Sequence, residues 1–174
     1  FGYYSTLGAT LVGTTGRVIG VEAASGIYQI FLRNARSFPQ IQPFHLAAGD
    51  REGTTTFYEY PILYSEFNTL RPDQYATSEW SQQIQPEAVE VPVQPLGQLL
   101  DELNAAPRLI KIDVEGAENL VIAGLLSHLK AHHPTIALEY LLEAPSMSHR
   151  EAAEALLQLG YRPHLLDDRG RPFP

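Results

Sequence analysis

The chain of 174 residues contains no cysteine and few positive charges. Without cysteine it cannot form a disulfide framework, a thiolate metal site or a cysteine nucleophile. Its 12 Lys and Arg residues stand against 20 Asp and Glu residues, which gives a formal net charge of -8. Binding to a phosphate backbone requires a basic face. These absences exclude cysteine-dependent classes of protein and argue against a nucleic-acid partner.

Long apolar runs and targeting signals are also missing. No apolar run approaches the roughly 20 residues of a membrane helix. No basic segment followed by an apolar run marks a signal peptide. The six histidines show neither HExxH nor HxH spacing, so no dedicated zinc site is expected. We therefore predict a cytoplasmic protein without a membrane partner and without a bound metal.

Apolar runs of strand length alternate with segments of helical periodicity. Helical spacing predicts helices over 3–13, 25–36, 95–105, 116–131 and 149–159. Runs typical of strands buried on both faces occupy 17–22, 109–114 and 135–139. Further strands are expected over 41–48, 54–60 and 89–93, with the last at a sheet edge because it contains Pro92.

A terminal hairpin is expected from 161–166 and a strand after Asp168-Arg169-Gly170. Strands that alternate with helices predict an α/β fold with a mostly parallel sheet and this C-terminal antiparallel hairpin. The length fits a single domain over residues 1–174.

Residues 61–88 differ from the rest of the chain. They contain three prolines, scattered aromatic residues and no sustained periodicity. Connections of this length are usually functional lids or disordered segments. The aromatic content favours an ordered lid, and we expect this segment to select the ligand that binds beneath it.

Three of the predicted strands end in a carboxylate, namely Glu22, Asp113 and Glu139. In an open α/β sheet, ligands bind outside the carboxyl ends of the strands, so these acids would share one crevice. Any single one of them could instead cap a helix or lie in a solvated loop. Glu22 follows Gly2 by twenty residues, which is the spacing between a phosphate or cofactor turn and an acid that binds ribose hydroxyls.

The strongest local feature is the run Ile-Lys-Ile-Asp-Val-Glu-Gly-Ala-Glu at 110–118. A strand carries Lys111 and ends in Asp113, and Glu115 and Glu118 lie near the start of the next helix. There the helix dipole favours negative charge, so Glu118 is at least as well explained as a helix N-terminal acid. Close carboxylates could also act as a general base or hold a divalent cation.

With this run in place, the chain resembles the FkbM-type family of S-adenosylmethionine-dependent methyltransferases over nearly its whole length. Residues 1–5 resemble the end of that family's cofactor loop, and residues 18–23 resemble its second strand with the ribose acid. Residues 47–50 resemble the segment after the third strand, and residues 134–139 resemble a Pro-x-Ile-x-x-Glu strand. Two departures stand out. The first strand and most of the cofactor loop are missing before Phe1, and Pro95-Leu96-Gly97 occupies the place of a usual Thr-Leu-Asp.

The resemblance implies a Rossmann-like class I methyltransferase sandwich that uses S-adenosyl-L-methionine. It further implies methyl transfer to a hydroxyl of a sugar, glycan or natural-product small molecule. The residues that it places at the cofactor are Gly2, Tyr3, Glu22, Ala23, Ala48 and Asp113. Asp113 is the first choice for the general base, and Glu115 and Glu139 are second choices.

Two other functions remain open on the sequence. A metal-dependent hydrolase could use Asp113, Glu115 and Glu118. A non-catalytic Rossmann-like binding module is the second alternative, because a fold does not determine a function. The oligomeric state is open as well.

Overall fold

A computed structural model describes residues 1–140, 147–166 and 170–173 of the chain. The helices are α1 (Tyr3–Val12), α2 (Ser25–Ala35), α3 (Leu96–Glu102), α4 (Glu118–His132) and α5 (Ser148–Gln158). The strands are β1 (Val18–Glu22), β2 (Ile41–His45), β3 (Ala47–Gly49), β4 (Gly53–Glu59), β5 (Glu87–Pro95), β6 (Leu109–Ile112), β7 (Thr135–Leu138), β8 (Leu165–Leu166) and β9 (Pro172–Phe173). The fold is therefore mixed α/β, as predicted.

The strands form four small sheets within the described residues. β1 pairs with β2, β3 with β5, and β6 with β7, all in parallel. β4 pairs antiparallel with β5, and β8 pairs antiparallel with β9. The C-terminal hairpin is thus confirmed, although Asp168 and Arg169 of its turn lie outside the described residues. Among the described residues, these pairings do not join the strands into one continuous sheet.

The predicted strand over 41–48 is divided in two. β2 pairs with β1, whereas β3, which begins after Leu46, pairs with β5 instead. The division allows the chain to pass from one small sheet to the next. Periodicity alone cannot reveal this change, because both halves carry similar apolar residues.

The expectation that β5 lies at a sheet edge is wrong. β5 is the central strand of the order β3-β5-β4. Pro92 is tolerated there because the pairing with β3 begins only at Val93, which is opposite Ala47. Proline has no backbone N–H to donate, and β3 has no residue opposite Pro92 that would accept such a hydrogen bond.

The expectation that β6 and β7 are buried on both faces is also wrong. Leu109 is 61% exposed, whereas Ile112 is only 2% exposed. Ile110 and Ile112 pack into the core around α4, and Leu109 and Lys111 project from the other face. β7 alternates between exposed and half-buried residues in the same way. These strands therefore bury one face each.

The largest core cluster lies between α4, α5 and the β6–β7 pair. Its fully buried members include Leu125 and Leu129 of α4, with Ala152 of α5 packed beside them. A second cluster joins α2 to the β3-β5-β4 sheet, and a third joins α1 to α2 and β2. These clusters orient the carboxyl ends of β1 and β6 toward the region of α1.

Residues 61–88 are ordered around short 3-10 turns at Ile62–Phe67, Pro72–Tyr75 and Trp80–Gln82. The segment builds its own aromatic cluster, in which Trp80 stacks on Phe67 at 4.2 Å and contacts Tyr60 at 5.3 Å between ring centroids. Tyr64 and Tyr75 complete the cluster. Within the described parts of the chain, no helix has the length and apolar character needed to cross a membrane.

Candidate active site

Gly2 forms the turn that leads into α1. Its φ of 77° is left-handed, a conformation that glycine adopts without the steric cost other residues meet. A Cβ at this position would also overlap the ring of Phe31 in α2. Gly2 is therefore required for two separate reasons, and the backbone before α1 lies close against α2.

Glu22 lies where β1 ends and faces this turn. Its Oε1 accepts a hydrogen bond from the Ala24 backbone N–H at 2.9 Å, and its Oε2 lies 4.0 Å from the Phe1 nitrogen. Burial raises the pKa of Glu22, and the Ala24 N–H opposes that rise. The carboxylate is thus held by one oxygen and presents the other toward the turn at Gly2.

The other residues expected at the cofactor are spread around this point. Ala23 follows Glu22, and its carbonyl accepts a hydrogen bond at 3.1 Å from Nε2 of His45 at the end of β2. A carbonyl can only accept, so His45 carries a proton on Nε2. Ala48 is half-buried in β3, where it packs against the core around α4. Tyr3 is 68% exposed at the start of α1, so its side chain is not part of the core.

Tyr4 links the Gly2 turn to the end of β6. Lys111 Nζ lies 4.2 Å from the centroid of the Tyr4 ring, a cation–π contact, and 2.5 Å from Asp113 Oδ2. Glu22, which faces Phe1, and Asp113, whose partner Lys111 contacts Tyr4, thus both lie near the start of α1. The sequence predicts only that Lys111 lies on the strand that ends in Asp113, and the structure shows that the two side chains form an ion pair.

Asp113, Glu115 and Glu139 converge at the carboxyl ends of β6 and β7. One oxygen from each carboxylate lies within 4.8 Å of the others. β6 and β7 are parallel neighbours, and the Glu139 N–H donates to the Ile112 carbonyl at 3.2 Å. Strand pairing thus places Glu139 beside Asp113, whereas Glu22 ends a strand of another small sheet and is not one of the three converging acids.

Glu115 reaches the cluster through an unusual backbone conformation. Its φ is 50°, in the left-handed region. This conformation is strained for a residue with a side chain and persists only where surrounding contacts hold it. Two such contacts come from the 61–88 segment: Thr69 Oγ1 donates to the Glu115 carbonyl at 2.6 Å, and Gln74 Nε2 donates to the same oxygen at 2.7 Å.

The same segment also contacts the Glu115 carboxylate. The Tyr75 hydroxyl donates to Glu115 Oε2 at 2.9 Å. Burial raises the pKa of Glu115 to about 7, the Tyr75 hydrogen bond opposes this rise, and the charges of Glu139 and Asp113 add to it. Near neutral pH this carboxylate can therefore accept a proton and release it again.

Glu139 is the second acid with an altered pKa. Burial raises the pKa of its carboxyl, and Asp113 raises it further. Its backbone is held by His149 of α5, whose Nδ1 donates to the Glu139 carbonyl at 2.9 Å. Ser148 and His149 lie in the first turn of α5, which begins at Ser148.

Glu118 is fully buried and does not join the three converging acids. Its Oε1 accepts from the Gly116 N–H at 3.1 Å, and its Oε2 accepts from the Ser148 hydroxyl at 2.8 Å. It lies in the first turn of α4, as expected for a helix N-terminal acid. Asp113, Glu115 and Glu118 therefore do not form one ligand set, since Glu139 takes the third place.

Sequence reasoning missed Thr69, Gln74 and Tyr75 as neighbours of the site. The aromatic content of residues 61–88 indicated an ordered lid, but no pattern shows which of its residues reach Glu115. Tyr4, which contacts Lys111, is 57% exposed.

The sequence model of the FkbM methyltransferase domain matches residues 1–163. The chain belongs to the FkbM methyltransferase family. The resemblance inferred from residues 110–118 is therefore confirmed.

A solved structure shows the same fold. The crystal structure of a methyltransferase FkbM from Methylobacillus flagellatus KT matches 98% of this chain with a TM-score of 0.51 and 20% sequence identity. The match covers 40% of that longer chain, so this FkbM-family chain spans less than half of its length. The comparison with curated proteins gave no match.

Proposed function

We propose that this FkbM-family chain is an S-adenosyl-L-methionine-dependent O-methyltransferase domain on a Rossmann-like framework. Its acceptor is a hydroxyl of a sugar, glycan or natural-product small molecule. The observation that carries the proposal is the convergence of Asp113, Glu115 and Glu139, with the turn at Gly2 and the Glu22 carboxylate near the same end of α1. Residues 61–88 form the lid over this acceptor site.

The turn region fits the cofactor that methyltransferases of this family use. Gly2 forms the left-handed turn before α1, at the place that the family resemblance gives to the end of the cofactor loop. Glu22 keeps one carboxylate oxygen toward the turn, where it can accept from ribose hydroxyls. Tyr3, Ala23 and Ala48 complete the proposed cofactor side, and Asp113 lies between it and the acceptor.

When bound, S-adenosyl-L-methionine supplies an activated methyl group, so the protein has mainly to align the acceptor oxygen and manage its proton. Asp113 is ion-paired with Lys111, which fixes the position of its carboxylate. Glu115 has a pKa of about 7, which suits a general base near neutral pH. We therefore assign the base to Glu115 and assign the orientation of the hydroxyl to Asp113 and Glu139.

The charge of the chain is consistent with a neutral small acceptor. A net charge of -8 disfavours a polyanionic substrate such as a nucleic acid. A cytoplasmic location without membrane attachment is part of the same proposal.

The first test is titration of the chain with S-adenosylhomocysteine by calorimetry in metal-free buffer. We expect saturable micromolar binding. Glu22→Gln should weaken it roughly 10- to 100-fold, because a charge-assisted hydrogen bond contributes about 1.5–3 kcal/mol. The matched control is Glu154→Gln on the exposed face of α5, which should leave the affinity unchanged. Equal affinity of the Glu22→Gln and wild-type proteins would remove Glu22 from the cofactor site.

The second test is transfer of labelled methyl groups to a panel of sugars, glycans and hydroxylated small molecules. Glu115→Gln should reduce turnover about 100-fold or more with little change in cofactor affinity. A hydrolase would instead show turnover that requires a divalent cation and no S-adenosyl-L-methionine. A folded chain without saturable S-adenosylhomocysteine binding would contradict the methyltransferase proposal and favour a non-catalytic module.

A further inference from the structure

A second group of ligand-type side chains lies at the opposite end of β6 from the acidic cluster. A cavity of about 170 Å³ opens between the end of α3, the 104–106 loop and the C-terminal half of α4. Asp101, His128 and His132 line it. β6 is four residues long, so this cavity and the Asp113 site are separated by roughly 13 Å of strand.

His128 is the buried member of the group. Its side chain is only 2% exposed, and neither of its ring nitrogens has a hydrogen-bond partner among the described residues. Buried polar atoms in native proteins normally have a partner, so an imidazole with two unsatisfied nitrogens beside a cavity calls for a ligand.

The neighbouring side chains are of the types that bind transition metals. His128 and His132 are four residues apart on α4, so both rings project from one face, and their centroids are 4.3 Å apart. Asp101 Oδ1 lies 3.7 Å from His128 Nδ1. That separation is too long for a good hydrogen bond but close to the roughly 3.4 Å between two ligand atoms on one tetrahedral zinc ion.

Asp101 must rotate to complete the site. Among the described residues, the three ligand atoms that lie within 4.8 Å of one another are those of Asp113, Glu115 and Glu139, not those around His128. The Asp101 side chain is 79% exposed, so it is free to turn toward His132. The expectation of no dedicated zinc site rests on the absence of HExxH and HxH spacings, whereas His128 and His132 have the spacing His-x-x-x-His.

We propose that His128, His132 and Asp101 bind one transition-metal ion, with Zn²⁺ as the best match. Two imidazoles and one carboxylate form a ligand set that suits zinc, and water can occupy the fourth position. The site lies away from the acidic cluster and takes no part in methyl transfer. It ties the end of α3 to α4 across the cavity.

Calorimetric titration of the chelator-treated full chain with Zn²⁺ at neutral pH tests the proposal. We expect one equivalent to bind with micromolar affinity and to raise Tm. His132→Ala should weaken this binding roughly tenfold or more, since it removes one of three ligands. His132 is exposed, so the variant should keep the wild-type Tm in the absence of metal. The matched control, His133→Asn, changes the adjacent histidine at a left-handed position that asparagine tolerates and should bind Zn²⁺ normally.

Two further measurements separate this site from the acidic cluster. Asp113→Asn should bind Zn²⁺ with the wild-type affinity, and Zn²⁺ should shift the imidazole NMR signals of both His128 and His132. Absence of Zn²⁺ binding, unchanged affinity in His132→Ala, or loss of binding in Asp113→Asn would each overturn the proposal.

Discussion

The hydrogen bond from Tyr75 to Glu115 controls the protonation of the proposed base. The Tyr75 hydroxyl donates to Glu115 Oε2 at 2.9 Å, and this bond favours the ionised carboxylate. Burial and the Glu115 charge raise the pKa of Tyr75 well above its usual range, so the phenol keeps its proton. Tyr75→Phe removes only the donor, and we expect the pKa of Glu115 to rise.

The size of the rise follows from the strength of the bond. A hydrogen bond to a charged group contributes about 1.5–3 kcal/mol, and one pKa unit corresponds to about 1.4 kcal/mol. Glu115 is only half-buried, so solvent screening reduces the effect by about half. We therefore expect the pKa of Glu115, about 7 in the wild type, to reach roughly 8 in Tyr75→Phe.

The assay is a carboxyl ¹³C NMR titration, with the Glu115 signal assigned by its loss in Glu115→Gln. The matched control is Tyr64→Phe, which removes a hydroxyl from the same aromatic cluster, where Tyr64 stacks on Trp80. The acidic limb of the pH profile for methyl transfer should move upward with the Glu115 titration in Tyr75→Phe and stay in place in Tyr64→Phe. An unchanged or lowered pKa of Glu115 in Tyr75→Phe would refute the argument that this bond sets the protonation of the base.

Two further predictions concern stability. Because the pKa of Glu115 rises from 4.5 to about 7 on folding, its contribution to stability is present below about pH 4.5 and lost as the pH rises through about 7. Gln does not titrate, so the difference in free energy of unfolding between Glu115→Gln and the wild type should shift in favour of the variant by about 1–2 kcal/mol as the pH rises through that window, a value already reduced for partial exposure. Denaturant unfolding at several pH values measures this difference, and parallel pH curves for the two proteins would contradict the prediction. Glu118→Ala should lose about 3 kcal/mol, because it leaves the Gly116 N–H and the Ser148 hydroxyl buried without their acceptor. Urea unfolding measures this loss of stability, and the exposed-site control Glu154→Ala should lose far less. If Glu118→Ala loses no more stability than the control, Glu118 is not needed to hold α4 to α5.

The local elements could be predicted from the sequence because each depends on nearby residues. Helical spacing predicted α1 over 3–13, and the structure has it at Tyr3–Val12. The apolar run ending in Glu22 is β1, and the run ending before Asp113 is β6. Strand-end acids could be predicted to share a crevice because parallel strands end at the same edge of a sheet.

The errors came where distant residues decide the outcome. Pro92 indicated a sheet edge, but β5 is the central strand. Pro92 is tolerated there because the pairing of β5 with β3 begins one residue later, at Val93. Leu109 belongs to a run that reads as fully buried, yet the described elements pack on one face of β6 only. The packing of α3 beside α4 likewise brings together residues that are far apart in the chain, since it places Asp101 Oδ1 3.7 Å from His128 Nδ1.

By itself, the sequence determined the family, the order of the main elements and the acids at the strand ends, because motif spacing and periodicity are local properties of the chain. The tertiary structure alone decided that Glu139, and not Glu118, completes the acidic cluster. It also decided that Lys111 pairs with Asp113, and that Tyr75, forty residues away along the chain, holds Glu115. The altered pKa of Glu115 depends on burial and on charges brought together from separate segments, so no local pattern could contain it.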